Sequence, residues 1–369
     1  MFKFSEISDK CVKCGKCIQV CTIHKINSDE TTSPRGFLDL VGAYERGELK
    51  LDKSAKNIFE SCFLCTSCVE VCPNSLRVDT AIENVRRDIA DKFGIAWYKK
   101  AFFWLLRHRA VMDFCARLGY VFQSCAFKIR EGAMSPRFSL PMVKKERLLP
   151  TASKKSFLNS HAEFIDNGGD KTIGVFIGCM GNYAYTGIGE ALVKIARELG
   201  LNLNLMKKQA CCGAPAYFTG DFATVEVLAK RNIEYFEKML GELDAIIVPE
   251  ATCSAMIKID YEHFFHSDEH WRERAKAVSK KIFLATEYFE KFTNLAEILA
   301  KKGKNLASVT YHDPCHARKM QGVFKEPRKL LAQNYEITEM SDPNECCGFG
   351  GVTMQSEKYH LSRAAGQRK

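Results

Sequence analysis

The chain has 369 residues, 46% of them hydrophobic, enough for two or three domains with cores of their own. Its 17 cysteines far exceed ordinary usage, but disulfide scaffolds are short secreted chains and the opening MFKFSEISDKC carries no secretory signal; metal ligands in a reduced, cytoplasmic setting are expected instead. The net charge of +10 suits plain solubility or attraction to an anionic surface, no apolar run of about 18 residues predicts a membrane span, and neither paired-histidine finger spacing nor an RNP-like aromatic motif points to nucleic acid.

In chain order, Cys11, Cys14, Cys17 and Cys21 read C-x2-C-x2-C-x3-C, and Cys62, Cys65, Cys68 and Cys72 repeat the spacing, with Pro73 after the last. This is the bacterial ferredoxin run for [4Fe–4S] clusters. Three close cysteines wrap a tight turn around one cubane, and the fourth, at the start of a helix, reaches the other. Cys11, Cys14, Cys17 and Cys72 are therefore assigned to one cluster, and Cys62, Cys65, Cys68 and Cys21 to the second. Structural zinc usually takes two separated pairs and fits two identical runs badly. Thr22 stands where the first run would carry the proline. Residues 31–62 read as helical segments with turns at Pro34–Gly36 and Gly47, so residues 1–90 are expected to form a mostly helical two-cluster domain that works as a wire.

Residues 91–170 read as a connector. Trp97, Phe102, Phe103, Trp104, Leu105, Phe114 and Phe122 alternate with Lys99, Lys100, Arg107, His108, Arg109, Arg117 and Lys128. Two readings stand: a helical pair packed on its neighbour, or an amphipathic segment lying on a membrane or docking a partner. Cys115 and Cys125 lack metal spacing and are expected as buried thiols. Residues 131–170, with Pro136, Pro141, Pro150 and NGGD, are expected to be an extended linker.

An internal repeat governs the rest. In the first copy TIGVFIGCM is followed by QACCGAP and DAIIVPEATCSAM; in the second SVTYHDPCHARK is followed by NECCGFGG. Cys179 precedes Cys211 by 32 positions and Cys315 precedes Cys346 by 31. TIGVFIG, LNLNLM and DAIIVP read as strands. TGIGEALVKIARELG, capped by Gly200, and DFATVEVLAKRNIEYFEKML read as helices. The alternation predicts a parallel sheet with cysteines just past the strand ends, where open α/β sheets place their ligand crevice. Cys179, Cys211, Cys212 and Cys253 are candidates for a further iron–sulfur or metal centre. Cys315, Cys346 and Cys347 form a second, incomplete set, because no late cysteine follows. His312 and His316 flank Cys315 and would tune redox chemistry or satisfy a turn. The domains read as 1–90, 91–170, 171–305 and 306–369, the last incomplete; the class is α plus α/β, a mostly helical two-cluster ferredoxin-type domain followed by duplicated α/β CCG domains.

These residues resemble a known family. CVKCGKC, SPRG at Ser33–Gly36, HDPCH at His312–His316 and both CCG triplets are similar to the iron–sulfur subunit of glycolate oxidase, over essentially the whole chain. The corresponding subunit of anaerobic glycerol-3-phosphate dehydrogenase, lactate-oxidation proteins and heterodisulfide reductase subunits share the layout. The resemblance implies an electron carrier between a separate FAD-binding 2-hydroxyacid dehydrogenase (glycolate or lactate) and membrane quinone, reached directly or through another subunit, at the inner face of the cytoplasmic membrane. No G-x-G-x-x-G follows a strand, so no flavin of its own is expected, and no catalytic residue is assigned. The alternatives are the glycerol-3-phosphate system and a heterodisulfide or quinone reductase acting at the CCG site.

Overall fold

The computed structural model describes residues 5–305 and 307–369, so the first four residues of the opening stretch lie outside it. The cysteine-rich N-terminal part is helical around its loops. Ser33 caps helix α1 (Pro34–Glu45): its hydroxyl accepts from the Gly36 amide at 3.0 Å, and Pro34 follows at the first helical position. A Cβ on Gly36 would collide with the Glu30 carbonyl, so SPRG is at once a cap and a close approach. Helix α2 (Val78–Phe93) buries Val78, Ala81, Ile82, Val85 and Ile89, a helical stripe. It also buries Asp79, Glu83 and Arg86, because other elements cover its second face.

Helix α3 (Trp97–Arg107) buries Phe103 and Leu106, whereas α4 (Arg109–Ala126) buries nothing. Cys115 and Cys125 on α4 are exposed, contrary to the expectation of buried thiols, because the helix rides on the body instead of in it. The expected linker is partly ordered into strands. β1 (Phe127–Arg130), β2 (Ala133–Pro136) and β3 (Leu149–Pro150) make an antiparallel sheet, and β4 (Phe164–Ile165) joins the main one.

The main sheet has five strands. β5 (Thr172–Val175), α5 (Gly178–Tyr183), α6 (Thr186–Glu198), β6 (Asn202–Asn204), α7 (Phe222–Met239), β7 (Ala245–Val248), α8 (Ala251–Ala255) and β8 (Ile282–Leu284) follow one another. The strand order is β4-β6-β5-β7-β8, parallel except for the β4 edge. From β5 the chain passes to β6 on one side and then to β7 on the other, so the topological switch lies beside β5. Successive residues of β7 face opposite layers. Ala245 and Ile247 join a core with Phe157, Leu192 and Phe289, while Ile246 and Val248 join the larger core. That larger core is continuous with the N-terminal part, running from Phe37, Phe59 and Ile82 through Phe236 and Tyr261 to Met354.

The second repeat is slighter than a full duplication. β9 (Ser308–Val309) pairs in parallel only with β10 (Glu336–Ile337), alongside α9 (Cys315–Gln321), α10 (Gly351–Ser356) and α11 (Tyr359–Arg368).

Candidate functional site

The two cysteine runs fold into the same loop. Lys13 and Leu64, each one residue before the second cysteine of its run, have φ of 56° and 51°; Gly15 and Thr66, each one residue after it, have φ of 76° and 57°. Left-handed residues on both sides of the second cysteine turn nearby amides inward, as in an anion nest. The Leu64 amide donates to Cys62 Sγ at 3.4 Å. One cavity is lined by Cys62, Cys65, Cys68 and Cys21, with Phe37, Phe63 and Val78. The other is lined by Cys11, Cys14, Cys17 and Cys72, with Arg35 and Leu38, and Cys68 reaches its wall. Each cavity thus gathers three thiols of one run and the last thiol of the other. Burial pushes the free Cys21 and Cys62 thiols up to about 12. Thiolates in such pockets need positive charge at hand, which bound iron supplies. The sulfurs of four cysteines line each cavity. The donor set fits a cluster.

The main sheet gathers a second group of cysteines. Cys179 opens α5 after β5, Cys211 and Cys212 lie in the loop after β6, and Cys253 sits on α8 after β7. Their free thiols form a hydrogen-bonded chain: Cys179 with Cys211, Cys211 with Cys212, and Cys212 donating to Cys253 at 3.3 Å. Gly178 has φ 71°, and a Cβ there would stand 3.1 Å from Cys253 Sγ. Gly213 (φ 93°) turns the chain out of the CCG loop and donates to Cys211 Sγ at 3.5 Å.

The second CCG group sits against the ferredoxin-type part. The free Cys346 thiol is hydrogen-bonded with Cys315, Cys347 and, from the N-terminal run, Cys65. The hydrogen bond with Cys346, and after it that with His312, hold the Cys347 thiol below the ordinary thiol range against the opposing effect of burial. His316 stacks on Phe218 with ring centroids 5.6 Å apart, and its Nδ1 is 3.0 Å from Thr252 Oγ1, next to Cys253. Burial pushes its pKa down, against the opposing pull of Cys65. Lys319 Nζ donates to Ser67 Oγ at 2.5 Å and to the Asn344 carbonyl at 3.1 Å, pinning this repeat to the Cys62 run.

Known proteins are similar to this chain in sequence. Residues 7–76 match the 4Fe-4S dicluster domain family, and residues 173–258 and 309–369 match the cysteine-rich (CCG) domain family. The probable glycolate oxidase iron-sulfur subunit of Bacillus subtilis (strain 168) is 28% identical over 93% of this chain and 79% of its own length. Lactate utilization protein A of Exiguobacterium sp. is 32% identical over 49% of this chain and 72% of its own length. This chain belongs to the glycolate oxidase iron–sulfur subunit family. A fumarate reductase (CoM/CoB) subunit of Methanothermobacter marburgensis is 29% identical over 97% of this chain; the chain spans 62% of that relative.

Membership makes this an iron–sulfur protein, and the structure adds residues that the cysteine pattern alone did not reveal. Asn232, wholly buried on α7, accepts from the Ala210 amide at 2.9 Å and donates to the Cys211 carbonyl at 3.0 Å. Tyr261 donates to the Cys212 carbonyl at 2.9 Å. Gln209 accepts from the Gly178 amide at 3.2 Å and donates to Val175. An asparagine within the apolar stripe Val225, Leu228, Ala229, Ile233, Phe236 was the available signal, since a buried amide demands partners.

Proposed function

We propose that the chain is the electron-transfer subunit of a flavin-dependent glycolate or lactate dehydrogenase, receiving electrons from a partner FAD subunit and passing them towards membrane quinone. The observation that carries this reading is the pair of cavities, each gathering three thiols of one run and the fourth of the other. In this reading Cys11, Cys14, Cys17 and Cys72 hold one [4Fe–4S] cluster and Cys62, Cys65, Cys68 and Cys21 hold the second. Cys179, Cys211, Cys212 and Cys253 hold a further iron–sulfur or metal centre. Bound clusters would supply one-electron storage, splitting the two-electron step of a flavin. The chain's own residues set the frame. Nest amides face the sulfurs, Phe37 and Phe63 exclude water, and Arg86 clamps the Cys62 run to the CCG half. His316 spans the space between Thr252 and Cys65. The protein works in the cytoplasm, at the membrane face.

Anaerobic purification of the full chain from its own cells tests the reading. A co-purifying FAD protein, with the pair carrying electrons from glycolate or lactate to a quinone analogue, is the expected result. Brown protein that comes out alone and reduces a disulfide or quinone unaided overturns it.

That outcome is the second reading, a reductase acting at the CCG half. The contact of Cys346 with Cys65 favours it, because it sets the second CCG group directly against the ferredoxin-type cavity. Similarity to a protein named as a fumarate reductase (CoM/CoB) subunit points the same way.

A further inference from the structure

Helix α4 reverses the usual polarity of a surface helix. Met112 packs against the large core, and side-chain hydrogen bonds make the other anchors to the body. Arg109 donates to the carbonyls of Lys207 and Gln209, both at 3.1 Å; Asp113 accepts from the Tyr183 hydroxyl at 2.6 Å; and Gln123 accepts from the Ala152 amide at 3.2 Å. At 100° per residue these three positions share one face. Val111, Phe114, Leu118, Val121 and Phe122 fall within an arc of about 100° centred on the opposite face. They are 37%, 61%, 42%, 64% and 59% exposed. On an ordinary amphipathic helix the apolar arc faces the core; here side-chain hydrogen bonds turn it outward.

Charge and shape narrow what could cover this arc. Every exposed charged side chain between residues 97 and 130 is cationic: Lys100, Arg117, Lys128 and Arg130. The single acidic residue of that stretch, Asp113, is turned inward to Tyr183; Glu131 follows at the turn after β1. Trp97 and Trp104 of α3 add exposed indoles. A convex apolar ridge of about 18 Å flanked by cations needs no complementary groove when its partner is fluid, and aromatic rings beside Lys and Arg are the composition of the lipid–water interface. One-signed flanks match an anionic leaflet. Among the described residues no helix is long and apolar enough to cross a membrane, so contact would be in the plane of the surface.

We propose that α4, with Trp97 and Trp104, is an interfacial helix that seats this chain on an anionic lipid bilayer. Its use, bringing the redox sites beside a quinone pool, rests on the electron-transfer reading; the binding itself is measured without any electron donor.

The test is flotation of the full-length, iron-loaded protein with vesicles of phosphatidylcholine alone or of phosphatidylcholine mixed with phosphatidylglycerol, at low and high salt. The expected result is flotation with the mixed vesicles only, weakened by salt, with a blue shift of tryptophan emission. Phe114→Glu/Phe122→Glu should weaken binding at least about tenfold while iron content and elution volume stay unchanged, because both rings are exposed. Arg117→Glu/Lys128→Glu should weaken it at low salt and leave little difference at high salt. Three results overturn the assignment: wild-type protein that does not float, charge-reversed and Phe-substituted variants that float as well as wild type, or a wild-type dimer that the Phe variant turns into monomers. Wild-type protein that does not float yet still delivers electrons to a water-soluble quinone analogue would sink the lipid surface and leave the electron-transfer reading standing.

Discussion

Leu64 and Thr66 hold left-handed backbone that a side chain disfavours, at a cost of about 1 kcal/mol or more each. Lys13 and Gly15 hold the same conformation in the other run, so the loop recurs although three of its four left-handed positions carry side chains that disfavour it. The crossed cavities make a sharp prediction. Cys72→Ser should strip iron from the Cys11, Cys14, Cys17 side, and Cys21→Ser from the Cys62, Cys65, Cys68 side, each removing about half of the iron bound by the dicluster region. Iron analysis and electron paramagnetic resonance of the reduced variants would distinguish the two; identical residual spectra would show the assignment to be wrong. In the CCG half, Asn232→Ala strands the Cys211 carbonyl and the Ala210 amide in the core. A loss of about 2–3 kcal/mol is expected, read as a lower urea midpoint, with the iron of the dicluster region retained.

At the scale of elements, α2 is the hinge pin between the two halves. Arg86, in the middle of it, donates to the Phe59 carbonyl at 3.0 Å, the Cys62 carbonyl at 2.7 Å and, across the interface, the Phe218 carbonyl at 2.9 Å. Gly220 (φ 91°) is pressed so close to the Arg86 backbone that a Cβ would overlap it. Arg86→Ala leaves three carbonyls without this partner in a dry interface and should destabilise the protein by about 3 kcal/mol. Faster proteolysis between the dicluster and CCG regions is the expected readout; unchanged protection would mean that the shared apolar core alone holds the halves together.

Across the whole molecule, that interface also buries acid. Asp260, at the end of a π-helical turn (Met256–Asp260), is 3% exposed and faces Asp79, Arg77 and Glu83, with the Tyr217 hydroxyl bonded to Glu83. Desolvation first, and then the Asp79 charge, raises Asp260 from 3.8 to about 7, against the opposing pull of Arg77. The unfolded chain releases this proton near pH 4 while the folded chain keeps it, so the folded state binds more protons in between. Stability from this group is full below about pH 4 and is lost as pH rises towards about 7, on the order of 1 kcal/mol per pH unit. Asp260→Asn should therefore raise the unfolding temperature of the protein at pH 8 and lose that advantage near pH 4, in scans at one fixed rate. An advantage that is the same at both values would mean that Asp260 titrates normally.

The chemistry and the secondary structure were legible locally. The C-x2-C-x2-C-x3-C spacing, the strand-to-cysteine order and the paired CCG spacing each appear in the structure where the sequence indicates, whereas Pro34–Gly36, read as a turn, open helix α1 behind the Ser33 cap. The second repeat keeps the cysteine spacing with less sheet: among the described residues only β9 and β10 pair there. What the tertiary structure alone decided are the relations between distant segments. No sequence period announces that Cys346 will lie against Cys65, that Arg86 will reach Phe218, or that α4 will turn its apolar arc away from the body. Spacing and periodicity are properties of one segment, whereas these contacts arise from burying several segments at once in a single core, where shape and the pairing of buried polar groups select the partner.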